Sequence, residues 1–391
     1  MTTATATKPA GAAAGNGKGK SDQPVVLRPF RIGVQNTDEH TYDVTQSTAA
    51  AVADLPTYSL NSSGFLTDLY VWVVGTTAGN SASVTFASRG PFNGLAKVEW
   101  DDVNNKPIVG PFDGWEMEQI CKLGGYAFSD DPKSSPVYSA TTGAGATGGS
   151  FEFVIRVPIQ LVPRDALGAL PNKSNTSTYK LRMSLNSTAA IYGTAPTSAP
   201  SVRVRVQPCS WWEPDEADLK GRRYQQQPPA VTTTQYWVRN DYVVNPGAIS
   251  PSLDAVGFPI RNIVFGLEDG TGSRSVGETD FPDPFQLQVE ANILIDRFKR
   301  VWLHRIAQAY GYTGSTFDAA EAHDNGVYVE PYCQDFVHKP GWETRYGYLE
   351  TASGTRLQVK GTLGGSGAHT LRTWVNYVAP ANGDVFALTG R

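Results

Sequence analysis

The chain has 391 residues, 40% of them hydrophobic and 11% aromatic, which is enough apolar material for more than one packed core. Charged residues make up only 18% and the net charge is −4, without the basic domain or stripe that usually holds nucleic acid by counterion release, so direct sequence-specific nucleic-acid binding is not expected. The 39 glycines and 26 prolines favour many turns between short strands over long helices.

Residues 1–24, MTTATATKPAGAAAGNGKGKSDQP, hold no large apolar side chain after Met1 and read as a flexible, mildly cationic arm carrying Lys8, Lys18 and Lys20. From there the pattern is strand after strand. PVVLRPFRIGV opens it, followed by LYVWVV, SVTFAS and LAKVEW. FEFVIRVPIQL puts Phe151, Phe153, Ile155, Val157, Ile159 and Leu161 on one face. YKLRMSLN does the same with Tyr179, Leu181, Met183 and Leu185, and VRVRVQ with Val202, Val204 and Val206. Clean period-two alternation means sheets with one face in a core and the other toward solvent or a neighbour. One helix interrupts this half. DGWEMEQICKLGG starts at Asp113, has Glu116 at the capping-box position, ends at Gly124–Gly125 and places Met117, Ile120 and Cys121 on one face.

DEADLKGRRYQQQPPA reads as a connector, after which the pattern restarts with TTTQYWVRNDYVV and IRNIVFGLE. A second helix is expected in IDRFKRVWLHRIAQAYG, burying Phe298, Trp302, Ile306 and Ala309 and stopping at Gly311. GVYVEPY, RYGYLE, TRLQVKG and TLRTWVNYV are the closing strands. The expected architecture is all-β: a double jelly roll, two eight-stranded β-sandwich rolls in one chain with short inserted helices. The expected division is an arm over 1–24, a first roll over 25–222 and a second over 223–391.

Little in the sequence points to chemistry. Cys121, Cys209 and Cys333 are too few and too scattered for a disulfide framework or a zinc site and read as free thiols of a reducing compartment. His40, His304, His323, His338 and His369 form no HxH or HExxH pair, and His323–Asp324 reads as a solvated turn. GTLGGSGAH, residues 361–369, has neither nucleophile-elbow nor phosphate-loop spacing and reads as a flexible hairpin loop. Asp101–Asp102 and Asp130–Asp131 sit on expected loops, and Trp211–Trp212 should point to opposite faces of a strand. The NxS/T sequons at Asn61, Asn172, Asn175 and Asn186 have no secretory signal before them. No apolar run reaches the length of a membrane span, LYVWVV being the densest. No catalytic, cofactor-binding or metal-ligating residue is assigned, and the protein is expected not to be an enzyme.

The succession FEFVIRVPIQLVPRDALGALPNKSNTSTYKLRMSLNSTAAIYG resembles the first jelly roll of tectivirus-type major capsid proteins, from tailless, membrane-containing icosahedral phages of the adenovirus hexon-like lineage. ASRGPFNGLAKVEWDDVNNKPIVGPFDGW resembles the lead into that family's first inserted helix. HRIAQAYG, GVYVEPYCQDFVHKPG, RYGYLETASGTRLQVKG and LRTWVNYV resemble its second roll in the same order. The resemblance implies a structural subunit forming pseudo-hexagonal homotrimers that tile an icosahedral shell around an internal membrane. Its partners would be further copies of itself, penton or vertex proteins and minor capsid or membrane proteins. It would be made and assembled in host cytoplasm and end in the virion shell. The arm, through Lys8, Lys18 and Lys20, would face the lattice or the anionic membrane, each lysine adding ~1 kcal/mol there. The alternative reading is a jelly-roll carbohydrate-binding protein or glycan-active enzyme, supported by nine Trp and acidic residues expected on the surface.

Overall fold

The computed structural model describes residues 26–77, 84–126, 128–138, 148–231, 233–254, 256–272, 277–310, 326–332 and 347–380. The first half contains β1 (Tyr42–Ser47), β2 (Ala53–Asp54), β3 (Tyr58–Ser59), β4 (Gly64–Thr76), β5 (Leu95–Asp101) and β6 (Pro107–Phe112). Helix α1 (Gly114–Leu123), β7 (Phe151–Pro158), β8 (Lys180–Leu185) and β9 (Ser201–Trp211) follow. The second half repeats the order with β10 (Thr233–Val244), β11 (Gly247–Ile249), β12 (Ser252–Leu253), β13 (Ile260–Asp269), β14 (Phe285–Val289) and β15 (Asn292–Arg297). It ends with helix α2 (Lys299–Tyr310), β16 (Val327–Pro331), β17 (Leu357–Leu363) and β18 (His369–Pro380).

Antiparallel pairing sorts the first half into two sheets, β1–β9–β4–β7 and β2/β3–β8–β5–β6. The second half is sorted in the same way, into β10–β18–β13–β16 and β11/β12–β17–β14–β15. Each half is therefore a jelly roll, and each carries its helix between the same two strands. The chain is all-β apart from α1, α2 and short helical turns.

The alternation read in the sequence sets the inward faces. Val202, Val204 and Val206 on β9 are buried with Phe151, Phe153, Ile155 and Val157 on β7, and Tyr179, Leu181, Met183 and Leu185 line the opposing sheet. These side chains belong to one hydrophobic cluster that continues into the second roll through Trp237, Phe265, Phe285 and Trp302. The polar face of β7 is covered too. Arg156 is buried beneath α1, donating from Nε to Asp68 Oδ1 at 2.7 Å, while Cys121 Sγ donates to the Arg156 carbonyl at 3.1 Å.

Several local readings are corrected. The opening segment forms no strand: Phe30–Ile32 is a 3₁₀ turn, and Arg28 makes a single bridge to Tyr224. Pro24 and Pro29 within so short a run leave too few donors for a ladder. Among the described residues, the strand in SVTFAS is the pair Thr85–Phe86, and in RYGYLE only Leu349 bridges, to Ile260. The second helix starts at Lys299, because Ile295–Arg297 pair with β14. Trp302 and Ile306 are buried as expected, Tyr310 joins them, Ala309 is half-buried and Phe298 is 63% exposed. Gly311 lies outside the described residues. The segment 361–369 is not a hairpin: β17 and β18 lie in different sheets, so the chain crosses from one face of the roll to the other. Asp101 and Asp102 are buried at the end of β5 instead of lying on a surface loop.

Candidate assembly site

The two rolls meet along a seam built around α1. At its N-terminus Asp113 Oδ1 accepts from the Glu116 amide at 2.7 Å and Glu116 Oε2 accepts from the Asp113 amide at 2.9 Å, completing the capping box. Glu116 is also fully buried, and roll two supplies its other partners. Arg239 Nη1, from β10, donates to both carboxylate oxygens at 3.2 and 3.1 Å, and Arg372 Nη1, from β18, donates to Oε1 at 3.0 Å. Arg372 further donates to Glu268 at 3.2 Å and to Asp241 at 2.7 Å. Arg89, from roll one, donates to Asp113 at 2.8 Å and to Glu268 across the seam. Its guanidinium stacks 4.8 Å from Trp115, which meets Trp374 edge-on at 5.8 Å. Burial pushes the Glu116 carboxyl up, the nearby Asp113 charge adds to this, and Arg239 and Arg372 pull against it.

The other end of α1 is held from the same side. The last carbonyls of a helix need donors, and cations are favoured there by the helix dipole. Arg261 Nη1 donates to the Gly124 carbonyl at 2.6 Å, Asn262 Nδ2 to the same oxygen at 3.2 Å, and the Tyr310 hydroxyl to the Leu123 carbonyl at 2.7 Å. Next to this, Trp237 Nε1 donates to the Tyr126 hydroxyl at 2.9 Å, which itself donates to Gln235 Oε1 at 2.5 Å. Gln235 Nε2 donates to the carbonyls of Ile159 and Gln160 at 3.2 and 3.1 Å. The backbones join as well: β6 and β10 run parallel, with Val109 opposite Trp237, so one sheet continues from roll one into roll two. Such a seam rigidifies. It desolvates several charges, and each is matched by an opposite charge or a hydrogen-bond partner.

The residues singled out in the sequence fall elsewhere. Lys8, Lys18 and Lys20, the pair His323–Asp324, His338 and Cys333 lie outside the described residues. Cys121 and Cys209 are buried free thiols, and burial pushes both up. His369 is buried at the start of β18, its Nε2 3.1 Å from Asp280 Oδ2 and its Nδ1 3.0 Å from the Gly367 carbonyl, so the 361–369 crossing is anchored. Trp211 is buried and Trp212 exposed, on opposite faces as expected. The sequon residue Asn172 is buried and donates to the Asn61 carbonyl at 2.5 Å. Among the described residues no three His, Cys, Asp or Glu side chains are grouped for a metal ion. Sequence reasoning found Glu116 as a cap and missed its role across the seam. The available signal was charge inside apolar strands: Arg261 in IRNIVFGLE and Arg372 in TLRTWVNYV.

No protein-family model matches the chain, and no curated protein matches it either. Solved structures do. The STIV MCP is 12% identical with a TM-score of 0.56, covering 88% of this chain and 96% of that one. The atomic structure of Sulfolobus Turreted Icosahedral Virus contains a match at 11% identity and TM-score 0.58, covering 91% and 94%. The major capsid protein P2 from Bacteriophage PM2 matches at 10% identity and TM-score 0.52, covering 89% of this chain and all of that one. The chain has the double jelly-roll fold of viral major capsid proteins. In this double jelly roll the seam around α1 is what makes two sandwiches a single block.

Proposed function

We propose that the protein is the major capsid protein of an icosahedral virus, a structural subunit with no enzymatic role. What carries the reading is the buried seam, which fixes two matching rolls side by side as one rigid building block. The match to capsid proteins of the same two-roll fold, over 88–91% of the chain, supports it. In this reading residues 25–222 and 223–391 are the two rolls, and three copies close head to tail into a pseudo-hexagonal homotrimer. The trimers tile a shell around an internal membrane and meet vertex and minor proteins at its edges. Assembly takes place in host cytoplasm. The arm, with Lys8, Lys18 and Lys20, lies on the inner side against anionic lipid or neighbouring trimers.

The test is the mass of the purified chain by light scattering after gel filtration. A dilution-resistant species at three times the 42.2 kDa chain mass is expected. A stable monomer would remove the capsomer and return attention to glycan binding. Deleting residues 1–19 should leave that trimer intact and reduce particle yield, and unchanged yield would sink the role of the arm.

A further inference from the structure

The outward faces of three neighbouring strands of roll one hold polar side chains that the fold itself leaves unused. Tyr70 and Trp72 on β4 stand opposite Gln207 and Arg205 on β9, and Trp72 also stands opposite Val154 on β7. Residues directly opposite on antiparallel strands project to the same face, so these side chains share one patch. With His40 they line a concavity of about 440 Å³, within the size range of small-molecule sites.

The acids beside this patch are already committed. Asp43 accepts from Arg203 Nε at 2.7 Å and from Arg203 Nη2. Glu152 accepts from Trp72 Nε1 at 2.7 Å and from the Ser135 hydroxyl. Arg205 is the cation left over. Its Nε is buried without a hydrogen-bond partner among the described residues, and Asp43 Oδ2 comes only to 3.9 Å of it. The Arg205 guanidinium lies 3.9 Å over the Trp72 ring. Laid on an indole whose own N–H is tied down, and with Nε covered, it keeps its plane and offers its Nη edge. That edge receives a carboxylate through two parallel hydrogen bonds. Tyr70, Gln207 and His40 bring further groups able to donate. Burial pushes the Tyr70 hydroxyl up, with Arg156 pulling against it, so the hydroxyl keeps its proton.

We propose that this concavity binds an acidic sugar, a ring bearing a carboxylate and hydroxyl groups. The carboxylate pairs with Arg205, the apolar side of the ring lies against Val154 and the Tyr70 ring, and the hydroxyls bond to Tyr70, Gln207 and His40. A neutral sugar would leave the Arg205 cation unmatched as it closed over it, and a bare acid would leave the other polar groups unused. A free sugar acid and the acidic end of a glycan share this chemistry. Such binding is an activity that a shell subunit does not itself require, and the site lies wholly within roll one, so it holds or fails independently of the capsomer.

The experiment is a ligand-observed NMR titration of the full-length chain with sodium glucuronate, methyl glucuronide, glucose and acetate, with the mass by light scattering taken on the same samples. Glucuronate should bind with a Kd on the order of 1 mM, and glucose and acetate at least about 10-fold more weakly. Methyl glucuronide binding as well as glucuronate assigns the site to a glycan end, and glucuronate binding alone assigns it to a free sugar acid. Arg205→Lys keeps the charge and loses the flat fork, so it should weaken glucuronate about 10-fold with circular dichroism unchanged. Gln207→Ala, at an exposed position, should weaken it as well. Glucose or acetate binding as tightly as glucuronate, or an affinity that neither variant alters, overturns the site. A trimer that takes up no glucuronate overturns the site and leaves the capsomer reading standing, and a monomer that binds it does the reverse.

Discussion

Glu116 shows how one side chain is committed to two structures at once: it caps α1 through the Asp113 amide and neutralises Arg239 and Arg372 from the other roll. Removing one member of a buried ionic group leaves the others uncompensated, so Glu116→Ala should cost about 3–5 kcal/mol in urea unfolding. A loss below 1 kcal/mol would mean that water replaces the carboxylate. Asp101 is the opposite case. Its carboxyl is buried with no hydrogen-bond donor to either oxygen among the described residues, and Arg182 Nε lies 3.1 Å away as a charge partner only. Burial first, and then the Glu99 charge, push Asp101 up, against the pull of Arg182. A carboxyl raised in the fold binds its proton more tightly there than in the unfolded chain, so its ionisation opposes folding. That penalty is full above the folded pKa and vanishes below the unfolded value near about 3.9. Asp101→Asn should therefore raise the melting temperature at pH 7 relative to wild type by more than it does at pH 4. Equal differences at both pH values would show that Arg182 fully compensates the charge.

Among the elements, strands with an unbroken period of two were legible because burial of one face is a local property of the sequence. The β7, β8 and β9 alternations put the expected side chains in the core. The helix signals were legible where a cap exists: α1 begins at its Asp113–Glu116 box. The start of α2 was not, because Ile295 and Arg297 fit a helical face equally well and only pairing with β14 makes them a strand. Phe298 is exposed for the same reason, sitting between a strand and a helix instead of one turn into the helix. Which strands share a sheet, and that α1 would be clasped by roll two, depend on contacts between segments distant in the sequence, such as Arg372 to Glu116. Backbone constraints are likewise hidden until strands meet. Gly64, the first residue of β4, has φ +72°, and a Cβ there would lie 2.3 Å from the Trp211 carbonyl oxygen. Gly221 has φ +75° with nothing within 4 Å. Both alanine variants bear the backbone cost of more than about 0.4–1 kcal/mol, and Gly64→Ala must also push β9 away. Gly64→Ala should destabilise clearly more than Gly221→Ala in urea, and equal losses would show that the strand end yields freely.

For the whole molecule, the question is whether two sandwiches of matching topology unfold as one. Each roll has its own sheets, yet the apolar cluster is continuous and the seam supplies buried charge pairs, both ends of α1 and a shared sheet. Exposing the seam would strand Glu116, Arg239 and Arg372 in partly apolar surroundings, so neither roll can open without penalising the other. The expected result is a single calorimetric transition with equal van't Hoff and calorimetric enthalpies. It is best measured at the lowest workable protein concentration, so that any association between copies does not add to the coupling. Combining Glu116→Ala with Arg261→Ala removes the charge at one end of α1 and the cap at the other while leaving the inward faces of both rolls untouched. The transition should then split in two, the rolls melting apart from one another. A split already present in the unaltered seam would mean that the rolls are docked rather than fused. A block that hinges there would be poorly suited to holding the fixed angle that the proposed capsomer requires.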